Sequence, residues 1–378
     1  MVLAILYPVI LGLERLEVTH LLRQNGLFQY LSGLRRYPDA TSLRRFLFRC
    51  APELLSKLGR LHDNYLRRMA LRPKPLTRFV FDMDSTVLTL YGKQEQAKIG
   101  YNPQKPGRPS YHPLLCFESR SKDFWHGLLR PGNTSSMTDA ISFMRTCLEK
   151  LPEKHGPVFV RADKGFYAFS LVELLELLRI GFVIVARLTG PIQARLAGLR
   201  YTSHPGNVAT AEFRYKPHGW SKAYRFVVIR RPQNEDITEQ LTLFRLGKYH
   251  YQVLVTNLTL QPLNLWRFYN DRAGVELLIK QLKADYTLGN IPTRHFRANE
   301  SYFLILLLAY NLMNWFKRLC LPPEYQQATL QSLRHQVLLM PAELVKTGNR
   351  TYLATPPASG QREVAWKFAL NKIERLKF

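Results

Sequence analysis

The sequence predicts an α/β protein: a mixed sheet covered by helices, with a helical region before it and a β-rich stretch inserted in it. Three observations predict this. Residues 78–91 (RFVFDMDSTVLTLY) alternate in polarity and are rich in strand formers, and two more strand-like runs, 111–119 and 123–129, come next with no helix between them. From 136 onward helices and strands alternate: a helical spacing of Met137, Ile141, Met144 and Leu148, an apolar strand at 157–162, a helix at 169–179 and a strand at 182–188. Three sequential strands before an alternating section describe a mixed sheet rather than a wholly parallel one. Residues 191–266 then break the rhythm with β-type runs at 224–229, 241–244 and 251–255.

The flanking elements complete the organisation. Residues 1–75 read as helical, and the first 78 residues carry 14 basic and 5 acidic side chains. Asp39 or Thr41 can cap a helix with Leu43, Phe46 and Leu47 on one face. This region is either a small DNA-binding domain or a basic helical cap on the neighbouring domain. Pro131, Gly132 and Asn133 mark a turn. After 266 the pattern predicts one long helix to 284, then a buried helix near 302–318. The tail holds Pro322, Pro323, Pro356 and Pro357 and a basic amphipathic end with Trp366, Lys367, Lys372, Arg375 and Lys377. The expected divisions are 1–75 helical, 76–190 the first part of the core, 191–266 the β-rich insertion, 267–322 the second part of the core, and 323–378 a basic C-terminal region.

Composition narrows the class of partner. The chain has 378 residues, 46% of them hydrophobic, and a formal charge of +26. That surplus favours a polyanion, because phosphate contacts release counterions. The four cysteines are far apart and form no Cys-x-x-Cys or Cys/His cluster, which argues against zinc and for a reducing compartment. Residues 1–13 lack the basic start and cleavage site of a signal peptide. Residues 302–316 are too short for an ordinary membrane span and contain Asn311 and Asn314, so both apolar stretches read as core helices and no membrane partner is expected.

Three segments carry chemistry. Counted from Glu276, Tyr269, Arg272 and Lys283 stand at −7, −4 and +7, so on a continuous helix the four lie within about 60° of one another. One stripe thus offers a carboxylate between two cations and a phenol; an ordinary solvated Arg–Glu pair gives the same pattern. On the strand near 80, Asp82, Asp84 and Thr86 share a face between apolar neighbours, which is costly unless something neutralises the carboxylates. Asp163 ends the strand VFVRAD just before Lys164 and Gly165, where α/β sheets place ligands, although Asp before Gly also makes plain turns. Together the three are hard oxygen donors of the kind Mg²⁺ prefers, and two such ions can serve in-line attack on phosphorus.

These residues resemble bacterial insertion-sequence DDE transposases, whose catalytic domain is RNase H-like. The signature Tyr-x2-Arg-x3-Glu-x6-Lys is met by Tyr269, Arg272, Glu276 and Lys283. The first Asp motif matches Asp84-Ser85-Thr86, and the second matches Asp163 within Arg161-Ala162-Asp163-Lys164-Gly165-Phe166. The resemblance covers about 80–320 and implies a two-metal nuclease and strand transferase. Asp84, Asp163 and Glu276 would bind two Mg²⁺ ions, with Mn²⁺ as a substitute. Tyr269, Arg272 and Lys283 would contact DNA beside the cleaved end. It also implies double-stranded DNA partners (terminal inverted repeats and target), a homodimer on DNA, and a bacterial cytoplasmic, nucleoid-associated location. In relatives with a β-rich insertion a Trp stacks on a flipped base; Trp220 is the candidate here, and a core or hairpin Trp is the competing reading. Two departures stand out: Lys164 follows Asp163 where a small residue is expected, and the N-terminal helical region is shorter than in relatives of this type.

Two rivals remain. FDMDST also resembles the first motif of haloacid-dehalogenase-type phosphatases, with Asp82 as nucleophile and Asp84 as acid/base. Asp163 lacks the paired acidic companion such enzymes need, and the stripe from Tyr269 to Lys283 would have no role. A non-catalytic DNA-binding relic would keep salt-sensitive binding without needing the three acids. His112 reads as a structural histidine.

Overall fold

The computed structural model describes residues 1–232, 244–246, 248–355 and 360–376. Its centre is a ten-stranded sheet. The first three strands are β1 (Phe79–Ser85), β2 (Leu114–Glu118) and β3 (Phe124–Leu128); β4 (Val158–Ala162) and β5 (Gly181–Val185) come after them. The order across the sheet is β3-β2-β1-β4-β5. β2 runs antiparallel to β1 and to β3, while β1, β4 and β5 are parallel neighbours. This is the RNase H-like mixed sheet: a short turn joins the antiparallel strands β2 and β3, the longer connection 86–113 leads from β1 to β2, and helices α4 (Ala140–Glu149) and α5 (Phe169–Leu177) make the two parallel crossovers.

The β-rich stretch does not stand apart. β6 (Thr202–His204), β7 (Val208–Tyr215), β8 (Tyr224–Pro232) and β9 (Tyr249–Thr256) continue the same sheet in the order β5-β9-β8-β7-β6. β9 joins β5 through Leu254–Val185, Val255–Ile184 and Thr256–Val183. The run expected at 241–244 lies outside the described residues up to 243; Phe244–Leu246 pairs with β9. Pro356, Pro357 and Lys377 also lie outside the described residues.

Alternation along β1 sorts the two faces of the sheet. Phe79, Phe81 and Met83 enter one core with α4, α5 and the end of α3 (Ala51–Met69). On the other face Leu115 and Phe117 of β2 pack against a second core built by α1 (Val2–Leu11), α2 (Ala40–Arg49), α7 (Ala273–Ala284) and α8 (Phe296–Cys320). Both apolar stretches read as core helices are core helices: Ala4, Ile5 and Leu6 of α1 and residues from Ala298 to Trp315 of α8 are buried. Asn311 of α8 is completely buried, where its amide accepts from the Phe124 N–H (2.8 Å) and donates to the Phe124 carbonyl (2.7 Å). The helix thereby grips the terminal strand of the sheet. Among the described residues no helix is long and apolar enough to cross a membrane.

The helix expected as one piece over 266–284 is two, α6 (Pro262–Asn270) and α7. At the break the bonds tighten to the i→i+3 pattern: Arg272 N–H to the Tyr269 carbonyl (3.0 Å) and Val275 N–H to the Arg272 carbonyl (2.9 Å). Arg272 is therefore a junction residue with its side chain turned inward, not a mid-helix one.

Candidate functional site

β1 and β4 are parallel and in register, Asp82 beside Arg161 and Met83 beside Ala162. One residue further, Asp84 and Asp163 stand side by side at the carboxyl ends of neighbouring strands, which are about 4.8 Å apart in a sheet. Above them lies the α6–α7 break. Arg272 is 5% exposed, its guanidinium donating to the Met83 carbonyl (3.0 Å) and pairing with the Asp84 carboxylate (3.1 Å). Its Nε is buried without a hydrogen-bond partner. Lys283, half-buried on α7, donates to the Val87 carbonyl at 3.2 Å. Glu276 stands exposed between them on the same helix. The stripe thus faces β1 and its continuation despite the break.

The charges interact. Burial pushes the Asp84 carboxyl up to about 6; Arg272 opposes this, while Asp163 and Glu276 add to it. For Arg272 burial acts downward but is outweighed by Asp84, Tyr269 and Asp163, which hold the guanidinium firmly charged. Tyr269, 7% exposed, has its phenol pushed up to about 12 by burial first, with Arg272 opposing and Asp163 adding. Burial lowers Lys283, against the pull of Asp84.

Three carboxylates near one another suit a divalent cation in kind, since hard oxygens are its preferred donors and it would cancel their repulsion. In the present arrangement Asp84 is met by Arg272 instead, and among the described residues no three His, Cys, Asp or Glu side chains are gathered closely enough to hold an ion. Joint ligation therefore requires side-chain movement, which the exposed Glu276 can supply most readily.

Asp82 has a different fate from Asp84. It is 1% exposed and forms a two-pronged pair with the equally buried Arg161, at 2.6 Å and 2.7 Å. Arg161 also donates to Ser119 Oγ (2.5 Å) and to the Phe268 carbonyl. Asp82 is thus neutralised inside the protein by a buried pair, which removes the free nucleophile that the phosphatase reading required. Its partner pins the end of α6, and so positions Tyr269 and Arg272.

Sequence reasoning left out a network beside the acids. His112 Nδ1 lies 2.8 Å from the Thr134 carbonyl, which fixes the proton there and makes Nε2 an acceptor for Ser85 Oγ at 3.1 Å. Ser85 Oγ in turn meets Ser136 Oγ at 3.1 Å, and the Ser85 N–H donates to Asp84 (2.8 Å). Burial lowers His112, consistent with a neutral ring. The hydroxyl after Asp84 was the only local signal; the histidine and Ser136 come from distant segments. Gly165 belongs here too. A Cβ on it would meet Ser136 Oγ at 2.7 Å and Asp163 Oδ1 at 3.0 Å, and its N–H donates to Asp163 (3.0 Å). Lys164, between them in sequence, is exposed.

Trp220 is not gathered into this site. It is 8% exposed and packs against Tyr167 (5.3 Å between centroids), Phe169 and Tyr224. Stacking on a base would require those neighbours to open.

A sheet of this order with paired strand-end aspartates and a glutamate on the helix beyond it defines the class of polynucleotidyl-transfer enzymes to which the motifs pointed. Over residues 1–378 the chain matches the family described as transposase DDE domain group 1, and it belongs to that family. It is a DNA transposase, an enzyme that cleaves and rejoins strands. Among solved structures it is similar to a piggyBac transposase synaptic complex with hairpin DNA, determined by cryo-EM, with 13% identity over 88% of this chain and 68% of that chain and a TM-score of 0.47. A comparison with curated proteins finds no match. The family uses divalent metal ions.

Proposed function

We propose that this transposase is of the insertion-sequence type, cutting double-stranded DNA at the terminal inverted repeats of its element and joining the freed ends to target DNA. Asp84, Asp163 and Glu276 would hold two Mg²⁺ ions, or Mn²⁺ in their place. Bound there, the ions would supply the charge that activates a water or a 3′-hydroxyl and stabilises the leaving oxygen. The observation that carries this reading is the placement of Asp84 and Asp163 at adjacent parallel strand ends beneath the helix that bears Glu276.

The protein's own groups have separable tasks. The His112–Ser85 network and the Gly165 N–H orient the two aspartates. Arg272 holds Asp84 in its charged form and keeps α7 close to β1. Lys283, the least buried of the stripe's three non-acidic members, can meet a phosphate without rearrangement, whereas DNA contact by Tyr269 and Arg272 needs their present neighbours to give way. Because two ends must be joined, a homodimer on DNA is part of the proposal.

The test is Mg²⁺- or Mn²⁺-dependent cleavage of DNA carrying the element's flanking repeats. Asp84→Ala, Asp163→Asn and Glu276→Gln should each fall below about one hundredth of the wild-type rate, beyond the 10–100-fold typical of losing a ligand's supporting partner. Metal-independent cleavage, or full activity in Glu276→Gln, would overturn the reading.

A further inference from the structure

A groove leads away from the proposed catalytic acids and has no part in the chemistry assigned to them. It begins where Lys283 and Lys105 flank Val87, passes Tyr91, and opens into a cavity of about 860 Å³ under α2. The three segments of the groove share walls. Thr89, Tyr91 and Gly289 border the first and second, and Arg44, Gly92 and Pro292 border the second and third. One wall is α2 of the N-terminal region; the others are the turn after Leu88–Thr89 and the segment between α7 and α8.

The groove is basic at both ends. Arg45, Lys93 and Arg294 line the wide end, all are exposed, and no carboxylate pairs with them among the described residues. Of the two acids that line it, Glu17 pairs with Arg44, leaving Glu14; Glu95, beside the lining residue Gln94, is held by His295 and the Phe296 N–H. Cations free of internal partners make a site for phosphates. Two aromatic rings stand among them. Tyr91 is 75% exposed midway along, with Arg108 over its ring at 5.8 Å, and Phe48 is 54% exposed at the wide end, its ring 4.3 Å from that of His295. Exposed aromatic faces between cations suit unpaired bases, whose faces are open for stacking. In a duplex those faces are covered by neighbouring base pairs, and Tyr91 and Phe48 would meet only edges or backbone.

We propose that this groove binds a single-stranded stretch of DNA running from the catalytic acids to α2, with Arg45, Lys93 and Arg294 on phosphates and Tyr91 and Phe48 on bases. The inference rests on the DNA-cleaving function proposed for the acids and adds the path of the strand. It also gives the N-terminal helical region a defined task, as one wall of the strand's channel.

The full chain is titrated, by fluorescence anisotropy over a series of salt concentrations, with blunt duplex and with the same duplex carrying a 5′ or 3′ single-stranded tail of about ten nucleotides. Wild type should bind one tailed form more tightly than the blunt one. Arg45→Ala/Lys93→Ala/Arg294→Ala should lower that form's affinity at least tenfold and reduce its salt slope by about 2, three phosphate contacts at about 0.7 each on a single strand. Tyr91→Ala/Phe48→Ala should cost at least about thirtyfold, two stacked bases at about 1 kcal/mol or more each, with an unchanged salt slope. Blunt duplex affinity should move less than twofold in both. Equal losses on tailed and blunt DNA, or no loss, overturn the proposal. A wild type that binds no DNA overturns the underlying function instead. Should the triple variant melt early, Lys93→Glu, on an exposed turn, gives the same readout.

Discussion

Arg161→Met removes the cation that neutralises Asp82, and its effect can be worked from the contacts. Both side chains are 1% exposed, joined at 2.6 Å and 2.7 Å, so the substitution strands a carboxylate in the sheet interior. Breaking a buried pair from one side costs about 3–5 kcal/mol. The lost bonds to Ser119 and Phe268 add about 1 kcal/mol each. Against a total stability of about 5–15 kcal/mol this is a large share. Replacing both partners by apolar residues, Asp82→Leu/Arg161→Met, removes the stranded charge and should recover at least about 2 kcal/mol relative to the sum of the single changes. Urea unfolding of the wild type, the two single variants and the double closes the cycle. The double variant should still cleave DNA about 10–100-fold more slowly, because the end of α6 beside Tyr269 loses its tie to the sheet. A loss below about 1 kcal/mol in Arg161→Met, or a double variant as unstable as the summed singles, refutes the argument.

Asn311→Leu leaves the Phe124 N–H and carbonyl without their partner and should destabilise by about 2–6 kcal/mol in thermal unfolding, since each stranded group costs about 1–3 kcal/mol. Gly165→Ala forces a methyl against Ser136 and Asp163; cleavage should fall at least about tenfold while the melting temperature moves by only a few degrees. Asp63, 26% exposed, is raised by burial but brought down to about 2 by His62 and by Lys150, whose Nζ lies 2.8 Å away. Its folded pKa is depressed, so its contribution of about 2 kcal/mol is present above pH 4 and lost as pH falls toward 2. Asp63→Asn should flatten that part of the stability-against-pH curve, and a curve unchanged from wild type would count against the assignment.

What could be seen in the sequence was whatever repeats locally. Alternation around Asp84 marked a strand with one polar face, and helical spacing put Arg272, Glu276 and Lys283 on one side. The tail of VFVRAD marked a strand end. Side chains that matter through a distant partner were invisible. Asp82 and Asp84 look alike in FDMDST, and only the register of β1 against β4 gives one of them Arg161 while the other goes to Arg272. His112 became part of the site through a carbonyl at 134 and a hydroxyl at 85. The break at Arg272 was hidden because an i→i+3 turn preserves nearly the same angular pattern as a helix. The β-type runs after 191 were legible as strands, but whether they fold separately or join an existing edge depends on pairing, which no local pattern records.

That pairing has a mechanical consequence. The outer strands are bound to β5 by a ladder of three residue pairs, and β5 is bound on its other side to β4, whose last residue precedes Asp163. Any force that tilts the outer strands is carried by main-chain bonds, two rungs inward, to the base of that acid. Exchanging surface side chains cannot disconnect such a linkage. A one-residue slip at the seam could, but it would turn Val183 and Val185 out of their apolar cluster, so the junction resists shear.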